Sequence, residues 1–329
     1  MRIAIDAMGG DHAPKLIVQG ALEAAQQWPD TELLLVGDTA AIEPLIGGNK
    51  PSNLTIHHAD EVILPDDEPV RAVRRKKGAS MVVAGQLVRD GQADAMLSAG
   101  NTGALMTTGL LVVGRLDGIE RPALAPMLPT MDDIGVLALD LGANMDAKPE
   151  HLLQYAIMGS IYRNKVHGLE KPRVGLLNVG TEAKKGNELT KAAYDLLEQA
   201  PIHFIGNVEA RDLLNRSCDV LICDGFAGNV MLKAMEGTAG TLFTFLKQEF
   251  GDSLMTKLAA AIMMPRLRKL KGKMDYKEHG SAPLLGLTGL VMKCHGSSDA
   301  VAVKNAVRQA RTAVAARLTE SIAAEISGK

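Results

Sequence analysis

The sequence predicts an α/β protein in which helices cover both faces of a mostly parallel sheet, and three observations support that prediction. Short apolar runs alternate with longer helical patterns along the whole chain of 329 residues. Several runs are apolar throughout, as is typical of strands that are buried on both faces. Apolar residues make up 47% of the chain but aromatic residues only 3%, which favours aliphatic and methionine packing between helices and sheet.

The predicted strands are short and are separated by turns rich in glycine, asparagine and aspartate. They span residues 2–6, 32–36, 54–58, 94–98, 123–128, 136–140, 173–178, 203–205, 219–223 and 290–293. Helical patterns fill the gaps at residues 14–27, 70–89, 103–113, 150–164, 188–199, 229–249 and 298–326. Pro14 and Pro149 stand where a first helical turn tolerates proline. Strand–helix alternation of this kind predicts a mostly parallel sheet with helices on both sides.

One segment breaks the alternation. Residues 240–277 form a long helical pattern with no strand candidate in it. No internal repeat and no linker of biased composition interrupts the rest of the chain. We therefore predict one large α/β domain over residues 1–329, with the 240–277 segment as a helical part of it.

Composition and charge exclude several classes of protein. The chain has 36 basic and 38 acidic residues, for a net charge of −2, which argues against nucleic acid as a partner. Three cysteines are too few and too irregularly spaced for a disulfide framework or a zinc site. No secretory signal and no membrane-spanning apolar run is visible. We expect a cytoplasmic protein that binds no metal.

Five predicted strands end in turns rich in glycine and amide side chains. The turns are residues 6–12, 98–103, 140–144, 178–182 and 224–229. Ligands of open α/β sheets bind where strands end and helices begin. In the 98–103 turn, glycines let backbone N–H groups approach an anion, and the helix that follows adds partial positive charge. The turn therefore predicts a phosphate site, although an ordinary tight turn with a helix cap has the same composition.

Familiar alternatives to a plain phosphate site are not supported. The chain has no Walker loop and no Gly-x-Gly-x-x-Gly fingerprint. It has no Gly-x-Ser-x-Gly elbow, and Cys223 follows an apolar strand as a small core residue would. Asp6 and Asp11 could bind a cation, contact a substrate or cap a helix. His12 could move a proton or be merely structural.

Six segments that occur together in a fixed order carry a resemblance to a known family. They are residues 5–11 (Ile-Asp-Ala-Met-Gly-Gly-Asp), 98–106 (Ser-Ala-Gly-Asn-Thr-Gly-Ala-Leu-Met), 140–144 (Asp-Leu-Gly-Ala-Asn), 207–211 (Asn-Val-Glu-Ala-Arg), 224–230 (Asp-Gly-Phe-Ala-Gly-Asn-Val) and 295–298 (His-Gly-Ser-Ser). With them, the chain resembles the bacterial acyl-ACP:phosphate acyltransferases of phospholipid synthesis over essentially its whole length.

The resemblance implies an enzyme that moves a long-chain acyl group from acyl carrier protein to inorganic phosphate without a cofactor. Its acyl phosphate product would supply a membrane glycerol-3-phosphate acyltransferase. The implied fold is a three-layer α/β/α sandwich that forms homodimers, similar to isocitrate and isopropylmalate dehydrogenases and to phosphotransacetylases. Members of the family act at the membrane surface and do not span it.

Because inorganic phosphate is a competent nucleophile near neutral pH, direct transfer needs no covalent intermediate, and the residues can be given roles on that basis. We expect Ser98, Gly100, Asn101, Thr102 and Gly103 to cradle the phosphate, with Lys184 and Lys185 as candidate cations for it. Asn144, Asn178 and Asn229 would be neutral donors around the reacting carbonyl, with Lys233 as a further candidate cation. His12 or Asp224 would accept a proton, and the sequence does not choose between them.

Two basic clusters stand out from the near-neutral total. Their candidate carrier-binding residues are Arg71, Arg74, Arg75, Arg266, Arg268, Lys269 and Lys271. A solvated helix face is the usual explanation for such runs, but an acidic carrier protein requires a basic docking surface. Just before the second cluster, Leu254, Leu258 and Ile262 lie on one helical face. This face could contact a membrane surface, the core or a second subunit.

Three rival functions remain at this point. A phosphotransacetylase-like enzyme would use acyl-CoA in place of the acylated carrier protein. An isopropylmalate-type dehydrogenase would need an acidic metal cluster and a dinucleotide site, and neither can be located in the sequence. A membrane-associated scaffold that does not catalyse a reaction would keep the phosphate turn as a relic.

Overall fold

Among the described residues, twelve strands form two sheets. The computed structural model describes residues 1–48, 50–250, 262–264, 266 and 281–326. The first sheet contains β1 (Arg2–Asp6), β2 (Glu32–Gly37), β3 (Leu54–His58), β4 (Ala95–Ser98), β5 (Ala123–Leu124), β11 (Ser281–Leu285) and β12 (Leu290–Cys294). The second contains β6 (Met127–Leu128), β7 (Val136–Leu139), β8 (Arg173–Asn178), β9 (His203–Glu209) and β10 (Val220–Ile222).

Both sheets are mostly parallel, so the predicted fold class is confirmed. The first has the order β3-β2-β1-β4-β12-β11-β5 and the second the order β6-β7-β10-β8-β9. In the first sheet β3, β2, β1, β4 and β12 run parallel, and β11 and β5 complete it by antiparallel pairing. In the second sheet only β6 pairs antiparallel, along β7.

The division into two sheets, which the sequence did not predict, occurs inside the predicted strand 123–128. The backbone N–H of Ala125 donates to the carbonyl of Pro283, at 3.0 Å, in the first sheet. The carbonyl of Pro126 accepts from Ala138, also at 3.0 Å, in the second. Proline has no N–H to continue a ladder, so the chain leaves one sheet and enters the other at this residue.

Ten α-helices within the described ranges pack on these sheets. They are α1 (Lys15–Gln27), α2 (Thr39–Ile46), α3 (Pro69–Arg75), α4 (Ser80–Arg89), α5 (Thr102–Thr108), α6 (Pro149–His167), α7 (Glu188–Glu198), α8 (Gly225–Glu249), α9 (Ala300–Ala315) and α10 (Leu318–Ile326). A π-helical turn, Gly109–Val113, extends α5, and a 3₁₀ helix spans Ala210–Asn215. None of the helices in these ranges is long and apolar enough to cross a membrane.

Local signals explain where the helices depart from prediction. The predicted helix 298–326 divides into α9 and α10 because Arg317 adopts a left-handed backbone, with φ of 50°. Helix α8 begins four residues before the predicted start, since the Asp224 side chain caps it by accepting from the N–H of Ala227 at 2.9 Å. Much of the 240–277 segment lies outside the described residues, and the single domain over 1–329 stays a prediction.

Alternation along the first sheet separates two buried clusters. Ile5, Leu97 and Met292 belong to the cluster that packs against α1 and α9 and also includes residues of the second sheet. Ala4 and Met96 belong to the cluster on the opposite face, which packs against α3, α4 and α5. Side chains two residues apart on a strand share a face. The last residues of β1 and β4 therefore project toward α4 and α5.

Candidate active site

Three strand ends of the first sheet meet in a first cluster, made of turns 6–12, 98–103 and 295–298. They follow β1, β4 and β12, which are neighbouring parallel strands. The N–H of Asp11 donates to the carbonyl of Gly296 at 2.8 Å. A Cβ on Gly9 would lie 2.8 Å from the Gly100 nitrogen, and one on Gly10 would lie 2.9 Å from the Ala99 Cβ. Glycine is thus required for the turns to touch.

Asp6 lies at the centre of the first cluster and is 1% exposed. Its carboxylate accepts hydrogen bonds of 2.6 Å from the hydroxyl groups of both Ser80 and Ser98. The N–H of Met8 also donates to it, at 3.3 Å. Burial raises the pKa of Asp6, and the hydrogen bonds from Ser80 and Ser98 oppose that rise. Through these bonds Asp6 anchors the 98–103 turn and the start of α4.

The 98–103 turn is held by its own polar side chains. The Ser98 hydroxyl accepts from the N–H of Gly100 at 3.0 Å. The Asn101 oxygen caps α5 by accepting from Ala104 at 3.0 Å, and its amide nitrogen donates to the carbonyl of Pro65 at 2.9 Å. Thr102 is exposed. Since the first N–H groups of a helix have no carbonyl partners within it, and those of Gly100 and Ala104 already donate to side chains, the N–H groups of residues 101–103 are the backbone donors that an anion here would need.

Glycines set the close packing of this turn as well. A Cβ on Gly100 would lie 2.6 Å from the Met81 Cε, and one on Gly103 would lie 2.6 Å from the Pro69 Cγ. Gly103 therefore packs directly on the first residue of α3. His12, in the neighbouring turn, is exposed at the same edge of the sheet.

Lys293 is a residue of the first cluster that the sequence reasoning missed. It is half-buried near the end of β12, and its register partner on β4 is Ser98. Its ammonium donates to the carbonyl of Cys294. Burial lowers the pKa of Lys293, whereas the negative charges of Asp6 and Asp11 act in the opposite direction. The available signal was a lysine within an otherwise apolar strand, directly before a glycine-containing turn.

At the strand ends of the second sheet, turns 140–144 and 224–229 form a second cluster, and the loop 178–187 follows the neighbouring strand β8. Asp140 is fully buried and accepts from the N–H of Asn144 at 2.5 Å and from its amide nitrogen at 3.1 Å. The carbonyl of Asn144 in turn accepts from the N–H of Gly225 at 2.9 Å. Burial raises the pKa of Asp140. Asn229 lies beside Gly142, whose added Cβ would be 3.5 Å from the Asn229 Cγ.

The remaining residues predicted for the site on this sheet lie at the end of β8, on the loop that follows it and on α8. The Asn178 amide nitrogen donates to Asn207 at 3.0 Å and to the carbonyl of Lys185 at 3.1 Å, which fixes the loop after β8. Lys184 and Lys185 are exposed on that loop. Lys233 is exposed on α8, where it forms an ion pair of 2.8 Å with Glu236. Convergence of all five turns on one pocket stays a prediction.

The two basic clusters differ in how far they can be described. Arg71, Arg74 and Arg75 are exposed on α3, next to the first cluster. Arg266 is exposed, but Arg268, Lys269 and Lys271 lie outside the described residues, as do Leu254 and Leu258. Ile262 is described and is 76% exposed.

The thiol groups are poor nucleophiles in this environment. All three cysteines are buried and free. Burial raises the pKa of Cys218 and of Cys294 to about 12, and it raises that of Cys223 well above the ordinary value. Thiols in this state do not ionise near neutral pH. Over the ranges that the structure covers, no group of three or more His, Cys, Asp or Glu residues is arranged to hold a metal.

The chain superposes on solved structures of the same fold. A phosphotransacetylase from Streptococcus pyogenes superposes with a TM-score of 0.60 and 15% identity, covering 97% of this chain and 94% of that one. A phosphotransacetylase from Staphylococcus aureus gives 0.59 and 17%, covering 96% and 94%. At such low identities the likeness extends to the fold alone.

Sequence comparisons identify the family of the chain. The model of a family described as "Fatty acid synthesis protein" matches residues 1–321. A phosphate acyltransferase from Brevibacillus brevis is 59% identical over 98% of this chain and 96% of its own length. One from Oceanobacillus iheyensis is 58% identical over 99% and 97%. The predicted resemblance is therefore confirmed: the chain belongs to the bacterial phosphate acyltransferase family and is an acyltransferase.

Proposed function

We propose that this enzyme transfers a long-chain acyl group from acyl carrier protein to inorganic phosphate, and that the acyl phosphate serves phospholipid synthesis. The observation that carries the proposal is that Asp6 anchors the 98–103 turn at the carboxyl edge of the first sheet. The names of relatives at 58–59% identity support phosphate as the acceptor. A membrane glycerol-3-phosphate acyltransferase is the expected consumer of the product.

The reaction needs positioning and charge stabilisation. A phosphate oxygen attacks the thioester carbonyl, a carbon–oxygen bond forms, and the carbon–sulfur bond breaks. The departing thiolate takes up the proton that the phosphate loses, so acyl phosphate and free carrier thiol are the products. Holding the two reactants together contributes about 7–11 kcal/mol. One oxyanion donor contributes about 2.7–4 kcal/mol.

We assign roles to the predicted residues according to which side chains already form hydrogen bonds within the protein. The amide nitrogens of Asn144 and Asn178 already donate within the protein, so these side chains support their turns. Asn229, half-buried beside Gly142, is the better donor for the carbonyl oxygen. The Asp224 carboxylate caps α8. His12, exposed beside the 98–103 turn, is therefore our choice as the group that accepts the phosphate proton and passes it to the thiolate.

The proposal is tested by mass-spectrometric detection of acyl phosphate formed from purified protein, acyl carrier protein thioester and inorganic phosphate. We expect product with this donor in preference to acyl-CoA. Equal or better turnover of acyl-CoA would identify a phosphotransacetylase-like enzyme. Absence of acyl phosphate with both donors would leave the scaffold alternative and would overturn the proposal.

Asn101→Ala should raise the apparent KM for phosphate by at least about tenfold, because it releases the turn from both α5 and Pro65. The lost cap should also cost about 1 kcal/mol of folding stability. Asp38→Ala is the matched control, since Asp38 caps α2 with a bond of 3.0 Å at the end of β2, two strands from β4. Steady-state kinetics and urea unfolding report both effects. Unchanged phosphate kinetics in Asn101→Ala would remove Asn101 from the site.

The carrier protein should dock on α3. Arg71, Arg74 and Arg75 are exposed there, and α3 touches the 98–103 turn through the contact of Pro69 with Gly103. An acidic carrier on this surface could deliver its thioester to the first cluster. Arg266, Arg268, Lys269 and Lys271 offer a second basic surface for the same partner.

The double variant Arg74→Glu/Arg75→Glu should lower kcat/KM for the acylated carrier by about tenfold at low salt, and the deficit should shrink as salt screens the charges. Turnover of a small thioester should be unaffected. Arg89→Glu, at the far end of α4 where Arg89 pairs with Asp90 at 2.7 Å, is the control. Equal losses in the two variants would contradict docking on α3.

Peripheral association with the membrane is proposed through the face that contains Leu254, Leu258 and Ile262. Ile262→Asp should reduce binding to vesicles rich in phosphatidylglycerol by at least about tenfold, because an exposed apolar contact becomes a buried charge. The control is Leu111→Asp, since Leu111 is a similarly exposed aliphatic residue, at 54%. Vesicle flotation measures the difference. Binding that persists in Ile262→Asp would remove the support for this face.

The homodimer is proposed to form through the second half of α8, where Leu242 and Phe245 expose half or more of their surface. Phe245→Asp should convert the protein to a monomer in sedimentation equilibrium, whereas Phe245→Leu should leave the dimer in place. A dimer that survives Phe245→Asp would exclude this surface.

A further inference from the structure

Three polar side chains form a row across the first sheet at its carboxyl edge. β4 lies between β1 and β12. The register pairs Ile5 with Leu97 and Ser98 with Lys293, so Asp6, the next residue of β1, comes level with Ser98. Neighbouring strands are about 4.8 Å apart. A carboxylate, a hydroxyl and an ammonium therefore occupy adjacent positions.

The row faces the phosphate turn. Asp6, Ser98 and Lys293 each stand two residues after Ala4, Met96 and Val291, all of which belong to the buried cluster that packs on α4 and α5. Side chains two apart on a strand project to the same side. The 98–103 turn leads from this row into α5, on the same side of the sheet.

The cation of the row, Lys293, has no carboxylate partner among the described residues. Both oxygens of Asp6 accept from serine hydroxyls at 2.6 Å. Within the described part of the chain, Lys293 forms no salt bridge with any carboxylate, and the Cys294 carbonyl is the one acceptor of its ammonium. An ammonium has three N–H donors. A half-buried cation with unused donors is costly unless something else pairs with it.

An anion in the 98–103 turn would pair with the Lys293 ammonium. The anion would in turn need a cation there. The buried Asp6 lies beneath the turn and, when ionised, repels a phosphate bound above it. Lys293, in the same row, offsets this repulsion. Lys184, Lys185 and Lys233 are exposed and belong to elements of the second sheet, whereas Lys293 lies on the strand next to Ser98.

We propose that Lys293 is the lysine that contacts the acyl-accepting phosphate, and that Asp6 and Ser98 are positioning residues that hold the turn beside it. This inference rests on the proposed function, since it assigns the cation for the same phosphate. It moves the role expected of Lys184, Lys185 or Lys233 to a residue on a rigid strand.

The test compares Lys293→Met and Lys293→Arg with Lys304→Met. Lys304, on α9, is a similarly half-buried lysine that pairs with Glu23 at 3.1 Å. The first measurement is the rise in melting temperature caused by inorganic phosphate alone, which requires no acyl donor. The second is the apparent KM for phosphate in acyl phosphate formation.

Lys293→Met should lose the phosphate-dependent rise in melting temperature, and its KM for phosphate should increase at least about tenfold, the scale of one charged hydrogen bond. Lys293→Arg should retain most of the binding, because it keeps the charge. Lys304→Met should keep the wild-type response to phosphate, whatever its own stability. If Lys293→Met does not fold, Lys293→Gln keeps a polar end on the strand and gives the same comparison.

Two results would contradict the role of Lys293, and they can be told apart. Wild-type phosphate response and wild-type KM in a folded Lys293→Met or Lys293→Gln protein would overturn the role of Lys293 and leave the proposed function in place. A wild-type protein that forms no acyl phosphate and is not stabilised by phosphate would overturn the proposed function and this inference with it.

Discussion

The hydrogen bonds that the buried carboxylate of Asp6 accepts from Ser80 and Ser98 are the constraint on which the site depends. They join the ends of two parallel strands to the first residue of α4. A buried carboxylate whose partners are removed carries a large desolvation cost, so the arrangement favours one conformation of the 98–103 turn. The turn is then fixed before any substrate arrives. Fixed donors of this kind avoid reorganisation during the reaction.

In the proposed function, the two sheets have different roles. The first sheet presents a compact turn with the charged row behind it, which suits a small anion. The second presents Asn229 beside the turn that the buried Asp140 holds, which suits a neutral carbonyl group. Neither cluster offers an ionised thiol. Direct attack by phosphate is the chemistry that such a set of groups can support, since proximity replaces covalent catalysis.

The sequence predicted the fold class and many strand positions because buried parallel strands leave a strong apolar signal. Strands β1, β3 and β8 begin and end at the predicted residues. The division into two sheets was not predictable from periodicity, because it depends on where each half of the 123–128 run finds a partner. The helix predicted at 70–89 divides into α3 and α4, since Gly78 packs against Asp60 and the chain turns there.

The site was only partly predictable. Turns rich in glycine and asparagine indicated which strand ends to consider, but composition could not say which amide groups were already engaged, as those of Asn101 and Asn178 are. Lys293 was missed because the row that it forms with Ser98 joins two strands that are distant in sequence.

The most direct test of the central claim is a crystal structure of the enzyme with inorganic phosphate. The account predicts the anion within hydrogen-bond distance of backbone N–H groups of residues 101–103 and of the Lys293 ammonium. A phosphate bound elsewhere, with the 98–103 turn empty at saturating concentration, would contradict it.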